Sequence, residues 1–268
     1  MNQLLKLLLI CQVLLLAGNM CFAQFSDGKA PAWAPLNGKV DSVIITEYAV
    51  TKSDMGQTKQ RKYKIGLVYD KNGKLALQDM YSMAPKKQPN SPDRIQMRMS
   101  NNYDEGGRLI GTIFNNGYSN VVKEIYTYKS GTLQAEAKKY GISDNVLLET
   151  AQIQLDEAGD MVERSVFDTT AKLVSKFTSK YNDRGQRIEE TEFGVFIKPD
   201  TRKWLNTYNA NGDLIRQVYY VGPGTTVANN TSTYTYLKFD DQHNWLVKNI
   251  FVNGKLIRVT ERSITYYK

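Results

Sequence analysis

One short pattern recurs down the chain and limits what the chain can fold into. Its best copies are Tyr69-Asp70-Lys71-Asn72-Gly73-Lys74-Leu75, Tyr103-Asp104-Glu105-Gly106-Gly107-Arg108-Leu109 and Tyr208-Asn209-Ala210-Asn211-Gly212-Asp213-Leu214. Worn copies start at Leu155, Phe167, Tyr181 and Phe239. Asp or Asn at the first corner accepts hydrogen bonds from backbone N–H groups two residues on. The next two positions suit a type I turn, and glycine after them supplies the positive φ at which the chain reverses with a bulge. The aromatic before the turn and the apolar residues after it fall on adjacent strands and meet across the ladder. Each copy reads as a β-hairpin.

The worn copies follow the same logic. Gly159 and Gly185 keep the positive-φ position, although Leu155 replaces the aromatic in the first of these copies. In Phe239-Asp240-Asp241-Gln242-His243-Asn244-Trp245 the glycine place is taken by the chain's single histidine. His tolerates left-handed backbone better than most residues, so His243 is read as a turn residue and not as a metal ligand or general base. Ala171 holds the glycine place in the copy at Phe167, and that turn is expected to be distorted or absent.

Residues 1–23 read as a secretory signal peptide. Lys6 lies in the n-region, Leu7 to Ala17 form an apolar run, and Ala23 closes a cleavage region before Gln24. The run is too short to span a bilayer. Met20 before Cys21 is a poor fit to a lipid-attachment signal, so a soluble exported product, periplasmic or extracellular, is preferred to one anchored at Cys21. Both cysteines, Cys11 and Cys21, would leave with the signal, and the mature chain would hold no disulfide or thiolate site. The formal charge of +8 falls to +7 with the loss of Lys6. Its lysines and arginines are spread along the chain, and the compartment argues against nucleic acid.

Residues 24–39 form an extended lead-in, and residues 40–268 read as a single β domain. Val40 to Val50 is the first strand, rich in β-branched residues. Ala84 to Asp93, with three prolines, reads as an exposed loop. Asn115-Asn116-Gly117, Lys198-Pro199-Asp200 and Asn253-Gly254 are further reversals, and Gly222 to Ser232 is a long small-residue loop. Leu133 to Tyr140 contains good helix formers, but its place between two turns argues for a strand.

The strand faces are mixed. After the His243 turn, Trp245, Val247, Asn249 and Phe251 alternate with Leu246, Lys248, Ile250 and Val252. Neither set is cleanly apolar, as the inner face of a sandwich should be. The expected fold is therefore all-β: an extended, twisted antiparallel meander of hairpins, open and largely single-layered. A curved half-barrel or a β-sandwich is the alternative. The seventeen tyrosines suit cross-strand ladders that need no full burial.

Tyr-Asp-x-x-Gly-x-Leu resembles the signature of YD repeats of RHS-type bacterial surface and toxin-delivery proteins, from about Tyr69 to Trp245. The stretch from Phe239 through Asn253-Gly254-Lys255 to Ile264 also resembles the end of small secreted YD-repeat proteins of Gram-negative envelopes. The resemblance implies antiparallel β structure, export, and a binding or structural role. No RHS core segment or toxin tail accompanies it.

The residues point to no catalytic, cofactor or metal site. No Gly-x-Ser-x-Gly elbow precedes His243. Adjacent carboxylates such as Glu189-Glu190 and Asp240-Asp241 should not converge, and the Asp-rich turns lack the ligand spacing of a calcium loop. The expectation is a non-enzymatic envelope protein that meets a glycan or a protein partner through sheet-face aromatics and cations. Trp204, Tyr219, Trp245, Phe251 and Arg258 are the candidate contacts. The competing readings are a periplasmic lipid or lipoprotein carrier with a curved sheet, and an enzyme. No transmembrane segment is expected after signal cleavage.

Overall fold

The reversals marked by the recurring pattern are made in one way. In the computed structural model, which describes residues 36–53, 56–81, 93–116, 120–194, 200–222, 224 and 226–268, the Asp70 N–H donates to the Lys74 carbonyl at 2.9 Å. The Gly73 N–H returns to the Asp70 carbonyl at 2.9 Å, with Gly73 at φ 77°. The Asp70 carboxylate accepts from the N–H groups of Asn72 and Lys74. This is a type I turn closed by a glycine bulge. The same backbone pair recurs at Asp104, Asp156, Asn182, Asn209 and Asp240. The Asp104 carboxyl is held below its usual value by the Arg108 backbone N–H and then by the Arg108 guanidinium.

His243 sits at φ 62° in its turn, as expected. The turn after Phe167 is a correction. Ala171 adopts φ 61° and its N–H reaches the Asp168 carbonyl at 3.0 Å, so the turn is neither distorted nor absent. The Asp168 side chain accepts from the Thr170 hydroxyl and from the Thr170 and Lys172 N–H groups, which offsets the cost of left-handed alanine. Asn253 (φ 48°) and Gly254 (φ 81°) make the expected tight hairpin. The signal peptide, most of the lead-in, nearly all of the proline loop and the centres of the reversals near residues 117 and 199 lie outside the described residues.

The turns join antiparallel strands in sequence. They are β1 (Val40–Ser53), β2 (Gly56–Tyr69), β3 (Leu75–Tyr81), β4 (Ile95–Tyr103), β5 (Leu109–Asn115) and β6 (Asn120–Tyr128). Next come β7 (Gln134–Gly141), β8 (Leu147–Leu155), β9 (Met161–Asp168), β10 (Leu173–Tyr181) and β11 (Arg187–Gly194). The last are β12 (Asp200–Tyr208), β13 (Leu214–Val221), β14 (Asn230–Phe239), β15 (Trp245–Val252) and β16 (Lys255–Tyr266). The helix formers of Gln134–Gly141 lie in a strand, as their position between turns requires.

The sheet does not stay open. β1 pairs with β2, matching Val43 with Leu67 and Ile45 with Ile65, and also with β16, matching Val43 with Ile264 and Ile45 with Arg262. Each strand is bonded to both neighbours and the ring closes as a barrel of sixteen strands. This corrects the expected open single-layer meander. The half-barrel and sandwich alternatives fail with it, since one continuous ring has neither a free edge nor a second sheet. Closure gives the edge N–H and C=O groups of β1 and β16 partners, which an open sheet would leave exposed.

The face of β1 that carries Val43 and Ile45 points inward, where Ile65, Leu67, Leu75 and Met99 join them in one buried apolar cluster. A second inner cluster runs from Leu109 through Tyr126, Ala137, Ala151 and Ile153 to Val166. Turns after even-numbered strands gather at one rim, and the Ala171 turn faces the opposite rim.

The rim is knit by tyrosines. Beyond the last ladder pair between β3 and β4, Leu77 with Ser100, the Leu75 carbonyl has no strand partner, and Tyr103 Oη donates to it at 2.8 Å. Tyr128 Oη serves the Leu109 carbonyl at 2.9 Å, Tyr181 serves Met161 at 3.0 Å, Tyr208 serves Arg187 at 2.8 Å, and Tyr236 serves Leu214 at 2.7 Å. Where the aromatic is lost, at Leu155, the backbone takes over and the Leu155 N–H donates to the Leu133 carbonyl at 2.7 Å. Each bond satisfies a main-chain acceptor that the ladder leaves out.

Tyr208→Phe should therefore lower the unfolding free energy by about 1 kcal/mol, the usual worth of one such bond. Tyr220→Phe, on the outer face, should leave it unchanged. Urea unfolding measures both, and equal midpoints for the two variants would refute the capping role.

Candidate functional site

The bulge after each turn sets two inner layers. The first residue of the returning strand points inward, as Leu75 does opposite Tyr69. The third residue beyond it points inward again, as Gln78 does opposite Leu67 and Met99. The first layer is Leu75, Leu109, Met161, Arg187, Leu214 and Trp245, all buried. The second is Gln78, Thr112, Arg164, Glu190, Gln217 and Lys248, a polar ring inside the wall.

Most of that ring is internally partnered. Thr112 Oγ1 donates to Asn101 Oδ1 at 3.0 Å, and Asn101 Nδ2 donates to the Leu75 carbonyl at 2.9 Å. Glu124 accepts from Tyr126 Oη at 2.6 Å and from the Arg164 guanidinium. Ala137 and Ala151, on the two intervening strands, present only methyl groups inward, and Arg164 reaches over them. Arg187 pairs with Glu190 at 2.9 Å. Gln217 Nε2 donates to Asn206 Oδ1 at 3.0 Å. Glu47 is held between Tyr63 Oη at 2.9 Å and Arg258 at 3.2 Å.

The five candidate contacts do not form one surface. Trp204 and Tyr219 face each other across β12 and β13 on the inner side, with ring centroids 5.2 Å apart and planes at 31°. Both stay half-buried, and Glu190 faces Trp204 from β11. Trp245 is also inward but 1% exposed, with the Arg262 guanidinium 3.3 Å from its ring centroid. Arg258 is committed to Glu47. Phe251 lies opposite Thr233 and apart from the others. The sequence reading missed Glu47, Glu124, Arg164 and Lys248. Their signal was available in part, since Arg164 and Lys248 stand three residues past the first residue of a returning strand.

The outer face is ionic. Glu189 bridges Lys180 and Lys203, each at 3.0 Å, while its neighbour Glu190 points inward. Lys176 meets Glu163 at 2.8 Å, and Arg98 meets Asp79 at 2.7 Å. Among the described residues, no group of three or more His, Cys, Asp or Glu side chains is placed to hold a metal ion.

No family model matches the chain, and no curated protein matches it. Among solved structures, a porin-like protein from Bacteroides uniformis aligns with a TM-score of 0.52 at 9% identity, covering 86% of this chain and 99% of that one. A porin-like protein from Bacteroides vulgatus aligns at 0.35 with 12% identity, covering 87% and 99%. The TcdB2-TccC3-Cdc42 structure aligns at 0.35 with 17% identity, covering 76% of this chain and 10% of that one. The last two likenesses are too shallow to argue from.

These findings correct three expectations. The kinship with open YD or RHS repeats is overturned, since the sheet closes and its likeness is to a porin-like fold. Among the described residues no helix is long and apolar enough to cross a membrane, but a barrel crosses with strands, so the expectation of no membrane-crossing element falls. The preference for a soluble periplasmic or extracellular product loses its ground with it, because that preference took the sheet to be open and the fold found is a closed, porin-like barrel. What this chain shares with the porin-like protein is the fold. Lys176, Lys180 and Lys203 stand on the outer face, where a lysine at a bilayer midplane costs about 2–4 kcal/mol.

Removing one partner of the Glu124–Arg164 pair leaves a buried charge. Arg164→Met should cost about 3–5 kcal/mol. The double variant Glu124→Leu/Arg164→Met should recover most of that. Denaturant unfolding of the single and double variants checks the pairing, and equal losses in both would contradict it.

Proposed function

We propose that the chain is an envelope binding protein that holds a glycan on the inner face of its barrel, at the Trp204–Tyr219 pair. The observation that carries the reading is that these two rings lie together on the inner face and remain half-buried, whereas Trp245 is sealed in the wall. Planar amides of Asn206 and Gln217 stand one inward step along the same strands, and the Glu190 carboxylate faces Trp204. An aromatic platform flanked by amides and a carboxylate suits a sugar, whose C–H face packs on a ring while its hydroxyls bond to polar groups. A lipid carrier would need an inner lining free of charge, and Arg187 and Glu190 do not offer one.

The test is a glycan array followed by titration of the best binder against the purified protein. Trp204→Ala should weaken binding at least tenfold, about 1.4 kcal/mol. Phe251→Ala, away from the inner pair, should leave it unchanged. An empty array, or equal loss in the two variants, would overturn the reading.

A further inference from the structure

The seam where β15, β16, β1 and β2 meet holds a cluster of donors with few acceptors. Lys248 is 4% exposed and lies on the inner face between Tyr236 of β14 and Thr260 of β16, which face it directly. Among the described residues its ammonium makes no hydrogen bond or ion pair. Its contacts are with rings, 4.5 Å from the Trp245 centroid and 5.3 Å from that of Tyr234. Burying an ammonium without a counter-charge is costly.

The neighbouring acids are engaged elsewhere. Glu47 is taken by Tyr63 and Arg258. Asp240 accepts from Tyr266 Oη at 2.5 Å and from the N–H groups of Gln242 and Asn244. Asp213 accepts from Asn209 Nδ2 at 3.0 Å. Around Lys248 the Arg262 guanidinium adds a second positive charge over the Trp245 ring. Three further buried polar atoms, Tyr69 Oη, Trp245 Nε1 and Thr260 Oγ1, have no hydrogen-bond partner among the described residues. All three can donate, and two positive charges lie among them.

We infer that this inner seam binds a small oxyanion, a phosphate or a carboxylate group, held by the Lys248 ammonium with the Thr260 hydroxyl and the indole N–H of Trp245, in the field of Arg262. The anion supplies the counter-charge that Lys248 lacks and acceptors for Thr260 Oγ1 and Trp245 Nε1. This site is separate from the Trp204–Tyr219 pair and does not depend on it.

Calorimetric titration of the full purified chain with inorganic phosphate and with sodium acetate tests the inference, with chloride as the control. At least one oxyanion should bind saturably and raise the unfolding temperature, while chloride does not compete. Lys248→Met, which removes the charge and keeps an apolar stem, should weaken binding at least tenfold. Thr260→Val should weaken it too, and it serves as the readout should the lysine variant fail to fold. Trp204→Ala should leave anion binding intact, so failure of the glycan reading is separable from failure of this one. The inference is overturned if neither oxyanion binds at millimolar concentration, if chloride competes equally, or if the variants that fold bind as the parent does.

Discussion

Tyrosine hydroxyls on the first carbonyls outside the ladder tie five hairpins each to the next, and the Leu155 N–H ties a sixth. Strand pairing alone leaves the rim open, because the bulge after each turn carries one residue beyond the last pair. Tyr103, Tyr128, Tyr181, Tyr208 and Tyr236 close those gaps in succession. The aromatic before a turn thus does more than pack against its own hairpin. At Tyr103, Tyr128, Tyr181 and Tyr208 it caps the returning strand of the hairpin before it.

The bulge that makes those caps necessary also explains why both strand faces look mixed. An unbulged strand would alternate strictly, and its inner residues could be read off every second position. Here the first inward residue and the next are three apart, as with Trp245 and Lys248, or Arg187 and Glu190. A rim layer that is apolar except for Arg187 and a polar ring below it therefore fall on opposite phases of a simple alternation. Part of the polar ring is held by internal pairing, as Arg164 is with Glu124 over Ala137 and Ala151, and Gln217 with Asn206.

The turns were legible because they depend on local chemistry: Asp or Asn at one corner and a residue tolerant of positive φ at another. Even His243 fits that rule. Ala171 departs from it because the Asp168 side chain, bonded to Thr170 and Lys172, holds the turn without a glycine. Closure was not legible. It rests on β1 meeting β16 across nearly the whole chain, and no local pattern marks Val43 for Ile264. Of the candidate contacts, Trp204 and Tyr219 share a face with Glu190 while Phe251 does not, and Arg258 is bound to Glu47. The outer face of this barrel is laced with lysine and glutamate, whereas a lipid-facing wall is usually apolar.

The central claim is closure, and a cross-link tests it most directly. In a background with Cys11→Ser and Cys21→Ser, cysteines replacing Thr46 and Glu261 face each other across β1 and β16. Cysteines replacing Thr46 and Lys64 face each other across β1 and β2 and serve as the control. Under mild oxidation of the folded protein, a closed barrel forms both disulfides to a similar extent. Formation of the Thr46–Lys64 bond without the Thr46–Glu261 bond would mean that the first and last strands do not meet, and the barrel would be refuted.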